Sequence, residues 1–313
     1  LAAWRNVERQ RRRSSVAVTA VAFGVVALVL AGGFIDWLLM ALRESTINAQ
    51  IGHVQVMRPG YRDKGLGDPF NYLLPEGSSQ QAAITEMPEV KAMGARLSFS
   101  GLISQGEATV AFIGDGVEPD KERLLSSALH ITSGEALSSA DARSVILGKG
   151  LAANLGVQVG STVVLMATTA SGGINAVECR VRGLFVTASK AYDDAALRVP
   201  IATARKLLKV AGSHVWVILL GHTEQTSEVL EKLRAQRGAA ALEFVPWNEL
   251  TDYYNKTASL FKRQVGIIRL IIGLLIVLSI SNTLIMNVME RRGEIGTAMA
   301  LGLRRSNIQR QFL

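Results

Sequence analysis

Two long apolar runs bracket a middle built of short alternating segments. The first extends from Val16 to Ile35 without a charge, 20 residues that as a helix would span ~30 Å, the thickness of a bilayer core. The second runs from Leu270 to Met286 and reaches a full span if Val265 to Ile268 join it with Arg269 snorkelling outward. In the first run Ala17, Ala20, Gly24, Ala27 and Ala31 recur at spacings of three and four, giving one small-residue face for close helix packing. In the second, Ser279, Thr283 and Asn287 form a polar stripe that reads as helix-to-helix glue, a substrate route being the alternative.

Between the runs the periodicity predicts a mixed α/β domain. Val54–Met57, Leu97–Ser104, Ala108–Ile113, Val145–Leu147, Thr162–Met166, Ala176–Val186 and Val215–Leu220 have strand character, while Gln80–Glu86, Lys149–Leu155, Ile201–Val210 and Thr223–Gln236 read as helices. Arg58–Ser79, rich in Gly, Pro and polar residues, reads as a long loop. After Pro246-Trp247, Asn248 is placed to cap a helix in which Leu250, Tyr254, Thr257, Phe261, Val265 and Ile268 follow at helical spacing. No breaker separates this stalk from the second run, so one continuous helix is expected.

Charge turns this pattern into a topology. The net +8 is concentrated outside the middle: residues 43–263 hold 23 Lys+Arg against 22 Asp+Glu, the flanks 11 against 4. Arg5, Arg9 and Arg11–Arg13 precede the first run, and Arg291, Arg292, Arg304, Arg305 and Arg310 follow the second. The positive-inside rule then puts both ends in the cytoplasm and the domain outside it. Basic residues that border apolar spans around a neutral middle argue against a nucleic-acid partner. The expected fold class is a membrane protein with α-helical spans and an inserted mixed α/β domain.

Candidate chemistry is sparse. Gly148-Lys149-Gly150 lacks the G-x-x-x-x-G-K-[ST] pattern of a phosphate-binding loop. His53, His130, His214 and His222 lack metal-ligand spacing and read as surface or core residues. Ser14-Ser15 and Ser126-Ser127 have no nucleophile context. Asp193-Asp194, if on a strand, would point to opposite faces. Cys179 reads as a buried small residue. No catalytic, cofactor-binding or metal residue is assigned.

Several separate stretches carry a family resemblance. Val145-Ile146-Leu147-Gly148-Lys149-Gly150-Leu151-Ala152, followed by Asn154–Val157 and Val159–Val163, resembles the strand, helix and turn of MacB- and LolC-type periplasmic domains. Arg182–Phe185, Tyr192-Asp193-Asp194 and Val199–Ala204 are similar to the segment that follows in the lipoprotein-releasing permeases. Met289–Gly296, then Ala300-Leu301-Gly302, Arg304-Arg305 and Ile308, resembles the cytoplasmic coupling region of the FtsX-like permeases. The resemblance implies an ABC transporter permease in the bacterial inner membrane with a periplasmic domain, ATP and Mg being bound by a partner ATPase dimer. It also implies a second permease subunit, with a periplasmic lipoprotein carrier and membrane lipid as further partners. The family has four spans where this sequence shows two, so the chain is expected to be cut short after the second.

The resulting plan assigns 1–13 to a cytoplasmic amphipathic helix carrying Leu1, Trp4 and Val7, 14–42 to the first span and 43–247 to the periplasmic domain. Residues 248–264 form the stalk, 265–289 the second span, and 290–313 a coupling segment with the start of a third span. Glu290, Arg291, Arg292, Glu294, Ala300 and Gly302 are expected to meet the ATPase, with Glu290 and Glu294 on one helical face. Lipoprotein release is the expected function. MacB-like efflux of antibiotics or peptides, activation of cell-wall hydrolases, and a two-span receptor are the alternatives.

Overall fold

A computed structural model describes residues 11–65, 67–187, 189–236 and 241–302. In chain order its helices are α1 (Arg11–Thr46), α2 (Ser79–Thr85), α3 (Pro119–Leu125), α4 (Lys149–Leu155), α5 (Ile201–Leu208), α6 (Thr226–Ala235), α7 (Asp252–Glu290) and α8 (Arg292–Ala300). The strands are β1 (Val54–Met57), β2 (Val90–Gln105), β3 (Ala108–Val117), β4 (His130–Gly134), β5 (Ser144–Gly148), β6 (Thr162–Thr168), β7 (Ile174–Val186), β8 (Ala196–Pro200), β9 (Val215–Leu220) and β10 (Glu243–Pro246). Short helical turns, among them Tyr61–Lys64, Lys190–Asp193 and Trp247–Leu250, link them. The chain divides into a domain, Ala41–Tyr254, and a helical unit drawn from its two flanks.

In the domain, β2 is long enough to serve two parts of one ten-stranded sheet. Its first half pairs with β9, which continues through β1 to β10. Its second half joins a ring: β2 pairs β3, β3 pairs β8, β8 pairs β5, β5 pairs β7, β7 pairs β6, and β6 returns to β2. Alternation along each strand points Phe99, Ile103, Phe112, Leu147, Leu165, Val181 and Leu197 into one core. Every residue of β9 is buried, because both faces of its sheet are covered. Trp216, Ile218 and Leu220 join the ring's core, while Val215, Val217 and Leu219 pack with Ile47, Met57 and Leu125 on the other side.

The flanking unit holds the two apolar helices, both long and apolar enough to cross a membrane. Of the expected small-residue face, Gly24 lies at their contact, while the row beyond it turns to Leu28 and Gly32. A Cβ on Gly24 would lie 3.9 Å from Ile272 Cγ2, and one on Gly32 would lie 3.6 Å from Arg269 Nη2, whereas Ala27 and Ala31 are exposed. Gly24, Leu28 and Gly32 form an i, i+4 row whose two glycines let α7 approach and leave room for the Arg269 guanidinium. Ser279 lies on the opposing row with Ile272 and Ile276, all half-buried. The side chains of Ala17, Ala20, Thr283 and Asn287 lie outside the described residues, as do Leu1, Trp4, Val7, Arg304, Arg305, Ile308 and Arg310.

The stalk and the second apolar run form one unbroken helix, α7, of 39 residues. Its start differs from expectation. Asn248 lies in the turn Trp247–Leu250, which Thr251 ends by leaving helical geometry and donating its Oγ1 hydrogen to Trp247 O at 2.9 Å. α7 then begins at Asp252.

Candidate functional site

The C-terminal end of α1 enters the domain as a π-helical turn, Ile47–Ile51, a distortion that leaves carbonyls free for other partners. Gly52 closes the turn at φ +68°, where a Cβ would lie 2.5 Å from Val217 Cγ1, so only glycine fits. Ile47, with no exposed surface, seats the turn against β9.

Two polar networks tie this turn to the domain. In the first, the Ala49 carbonyl accepts from Arg198 Nη2 at 3.1 Å and lies 2.9 Å from Ser126 Oγ. Arg198 Nη1 donates to Glu122 Oε1 at 2.6 Å and to Ser126 Oγ at 2.8 Å, while Arg96 Nη2 reaches the same Glu122 oxygen at 2.9 Å. The planar guanidinium suits Arg198 to this post, since one fork reaches a carboxylate, a hydroxyl and a carbonyl together. Ala128 N adds a hydrogen bond to Asn48 O at 3.1 Å. Burial alone would raise the Glu122 pKa, but Arg96 and Arg198 outweigh it and hold the carboxyl below its usual range. Burial likewise opposes the charge on Arg198, and Glu122, helped by Tyr192 and Asp115, more than offsets it.

The second network is neutral at its centre. Leu220 N–H donates to His53 Nδ1 at 3.1 Å, so the imidazole proton sits on Nε2 and is donated to Thr223 Oγ1 at 2.9 Å. Thr223 passes its own hydrogen to Glu44 Oε1 at 2.9 Å, on the last turns of α1. Arg43 spans Glu44 at 2.9 Å and Glu224 at 3.1 Å. Burial lowers the His53 pKa to about 4, keeping the ring neutral.

The motif residues read from the sequence serve packing. A Cβ on Gly148 would lie 2.2 Å from Asp193 O, and one on Gly150 would lie 1.9 Å from Asp194 Oδ1. Those two glycines therefore let the strand–helix motif pack against the Tyr192–Asp194 segment. Asp193 is buried and accepts from Thr187 N at 3.1 and 3.0 Å and from Thr187 Oγ1 at 2.8 Å, whereas Asp194 pairs with Lys190 at 2.8 Å. Cys179 is buried, its thiol pushed up to about 12 by that burial. His53 and His214 are core residues, His130 and His222 exposed. Among the described residues no group of three or more His, Cys, Asp or Glu could hold a metal ion.

The expected coupling residues are brought together differently from the reading above. The helix breaks at Arg291, so Glu290 ends α7 while Glu294 lies in the first turn of α8, and they do not share one helical face. Glu294 instead sits 4.0 Å from Arg291 Nη1. Arg292, Glu294 and Ala300 are exposed on α8, and Gly302 stops it with φ +90°.

The sequence profile of the MacB-like periplasmic core domain matches residues 14–236. The chain belongs to this family. It is an FtsX- and MacB-like ABC permease, and such permeases work with an ABC ATPase. Among solved structures, the periplasmic region of MacB from Actinobacillus actinomycetemcomitans is similar at 15% identity and TM-score 0.45, over 64% of this chain and 92% of that one. The extracellular domain of the noncanonic ABC-type transporter YknZ from Gram-positive bacteria gives 13%, TM-score 0.45, 62% and 98%. A domain of a permease protein from Porphyromonas gingivalis gives 17%, TM-score 0.39, 64% and 90%. No curated protein matches the sequence.

The matched region runs from α1 through α6 and so contains both ties, Ala49 with Ser126 and Arg198, and Glu44 with His53 and Thr223. Arg96, Glu122 and Arg198 were not singled out in the sequence, since their separations follow no motif. The one available signal was Arg198 itself, a charge in an otherwise apolar Ala196–Pro200 segment.

Proposed function

We propose that this chain is the non-catalytic permease subunit of an ABC transporter, crossing the bacterial inner membrane more than once, with its MacB-like domain periplasmic. The double tie at the root of α1 carries the reading. A helix end held at Ala49 and again at Glu44 can pass a displacement into the domain, where a single flexible attachment would dissipate it. ATP and Mg are bound by a separate ATPase dimer that meets Glu290, Arg291, Arg292, Glu294, Ala300 and Gly302. A second permease subunit completes the assembly. Family membership favours this over a two-span receptor.

The cargo we propose is a lipoprotein drawn from the outer leaflet of the inner membrane and passed to a periplasmic carrier. Its support is the order of the motifs around Arg182–Phe185 and Tyr192–Asp194. The second reading is efflux of antibiotics or peptides, with which the MacB-like profile is equally compatible.

The full-length subunit, reconstituted with its ATPase in vesicles, tests both parts. Glu294→Lys should leave insertion and domain folding intact while abolishing cargo-stimulated ATP hydrolysis. Stimulation and transport that survive this charge reversal would rule out the coupling role. ATP hydrolysis by the purified permease alone would overturn the division of labour. In the same vesicles, release of a fluorescent lipoprotein without macrolide movement supports the first cargo, and the converse result the second.

A further inference from the structure

Against the first tie lies a cavity of about 290 Å³. Its walls are apolar, formed by Leu129, Ile131, Leu137 and the buried Ile146. Its polar end is Arg198 with Ser126, both buried and both bound to the Ala49 carbonyl. Arg123 stands exposed on the rim and forms no ion pair among the described residues. Glu122 also lines the space, but its carboxylate is engaged by two guanidiniums. The cavity is thus apolar inside with surplus positive charge at its polar side.

We propose that this cavity is a binding site for a small anionic amphiphile, a short apolar tail carrying a carboxylate. The volume corresponds to roughly ten non-hydrogen atoms if each takes the ~30 Å³ of a water molecule, at the small end of ligand pockets. The tail lies along the apolar walls, where neither water nor a polar group finds partners. The carboxylate meets Arg123, whose guanidinium can hold it bidentately. A ligand in this place presses on the two side chains that hold Ala49, so occupancy is felt at the root of α1. A free fatty acid and the acyl end of a larger lipid share the tail chemistry, but only the first brings a carboxylate.

Calorimetric titration of decanoate into the full chain in lipid nanodiscs, with empty nanodiscs subtracted, tests the site. Saturable binding is expected, weakened at least tenfold in Arg123→Glu and lost in Leu137→Trp, which fills the cavity. Decanol should bind at least tenfold more weakly than decanoate. Equal binding of decanol and decanoate, or decanoate binding indifferent to Arg123→Glu, would overturn the assignment of the acid. Heats equal to those of empty nanodiscs would overturn the site. Arg123 is exposed, so its variant keeps the test valid should Leu137→Trp fail to fold. No ATPase is involved, so failure here leaves the permease reading standing, and loss of that reading leaves this one measurable.

Discussion

The two ties at the root of α1 hold the same few residues with opposite materials. At Ala49 the grip is ionic and enclosed: Arg198 is 1% exposed, and Glu122 lies between two guanidiniums. At Glu44 it is a relay of neutral groups, His53 to Thr223, ending on a carboxylate whose side chain is 40% exposed. The difference matters because a buried charge that loses its partner has nowhere to turn, whereas a half-exposed carboxylate can recover water. The ionic tie is therefore rigid and brittle, the relay weaker and forgiving. The root of α1 thus has a fixed point in the first and some compliance in the second.

The largest effect expected is from Arg198→Leu. It leaves Glu122 with one guanidinium and Ala49 O with Ser126 alone, and breaking such a buried pair costs about 3–5 kcal/mol. Thermal unfolding of the full chain measures the loss, and hydrogen exchange should show residues 47–52 opening first. A cost below 1 kcal/mol would mean that the buried cluster is not what fixes the turn.

Acid should act next, through the neutral histidines. Burial lowers both His53 and His214 to about 4 from an ordinary value of 6.5. Between those values the unfolded chain binds protons that the folded domain does not, so stability is complete above pH 6.5 and falls as pH drops towards 4. The full loss is at most about 3 kcal/mol per histidine. His53→Gln should remove about half of this pH dependence while leaving the Ala49 tie intact. An unchanged slope would place the titration elsewhere and erase the contrast between the ties.

How much of this was legible in the sequence depends on whether a residue's role is local. The stalk, the apolar runs, β1, β5, β9 and α4 follow from periodicity because each buries a face set by its own spacing. β4, β8 and β10 were missed. β8 reads Ala-Leu-Arg-Val-Pro, where a charge and a proline argue against a buried strand until Glu122, far away in sequence, is known to meet the charge. α3 was missed although Pro119 and Asp120 stand in its first turn, a recognisable start signal masked by its high charge. The face shared by Glu290 and Glu294 failed for a different reason. The only local signal in Met289–Glu294 is Gly293, a poor helix former two residues past the turn at Arg291, and it does not mark where the helix breaks.

The smallest effect should come from Thr223→Val, which replaces a hydroxyl by a methyl of nearly equal volume. Glu44 keeps Arg43 at 2.9 Å and has access to water, so the carboxylate loses little. The cost falls on His53, whose Nε2–H is buried and loses its acceptor. The ring cannot respond by moving its proton, because Nδ1 is already committed to accepting from Leu220 N–H. An orphaned buried donor of this kind costs about 1–3 kcal/mol. Thr223→Ser retains the hydroxyl and should stay close to the parent. Chemical denaturation of the three chains under one set of conditions decides between the outcomes. If Ser is as damaging as Val, the methyl packing holds this end and not the hydrogen-bond relay. If Val instead equals Arg198→Leu, the two ties are of one strength, and the division into a fixed point and a compliant one is wrong.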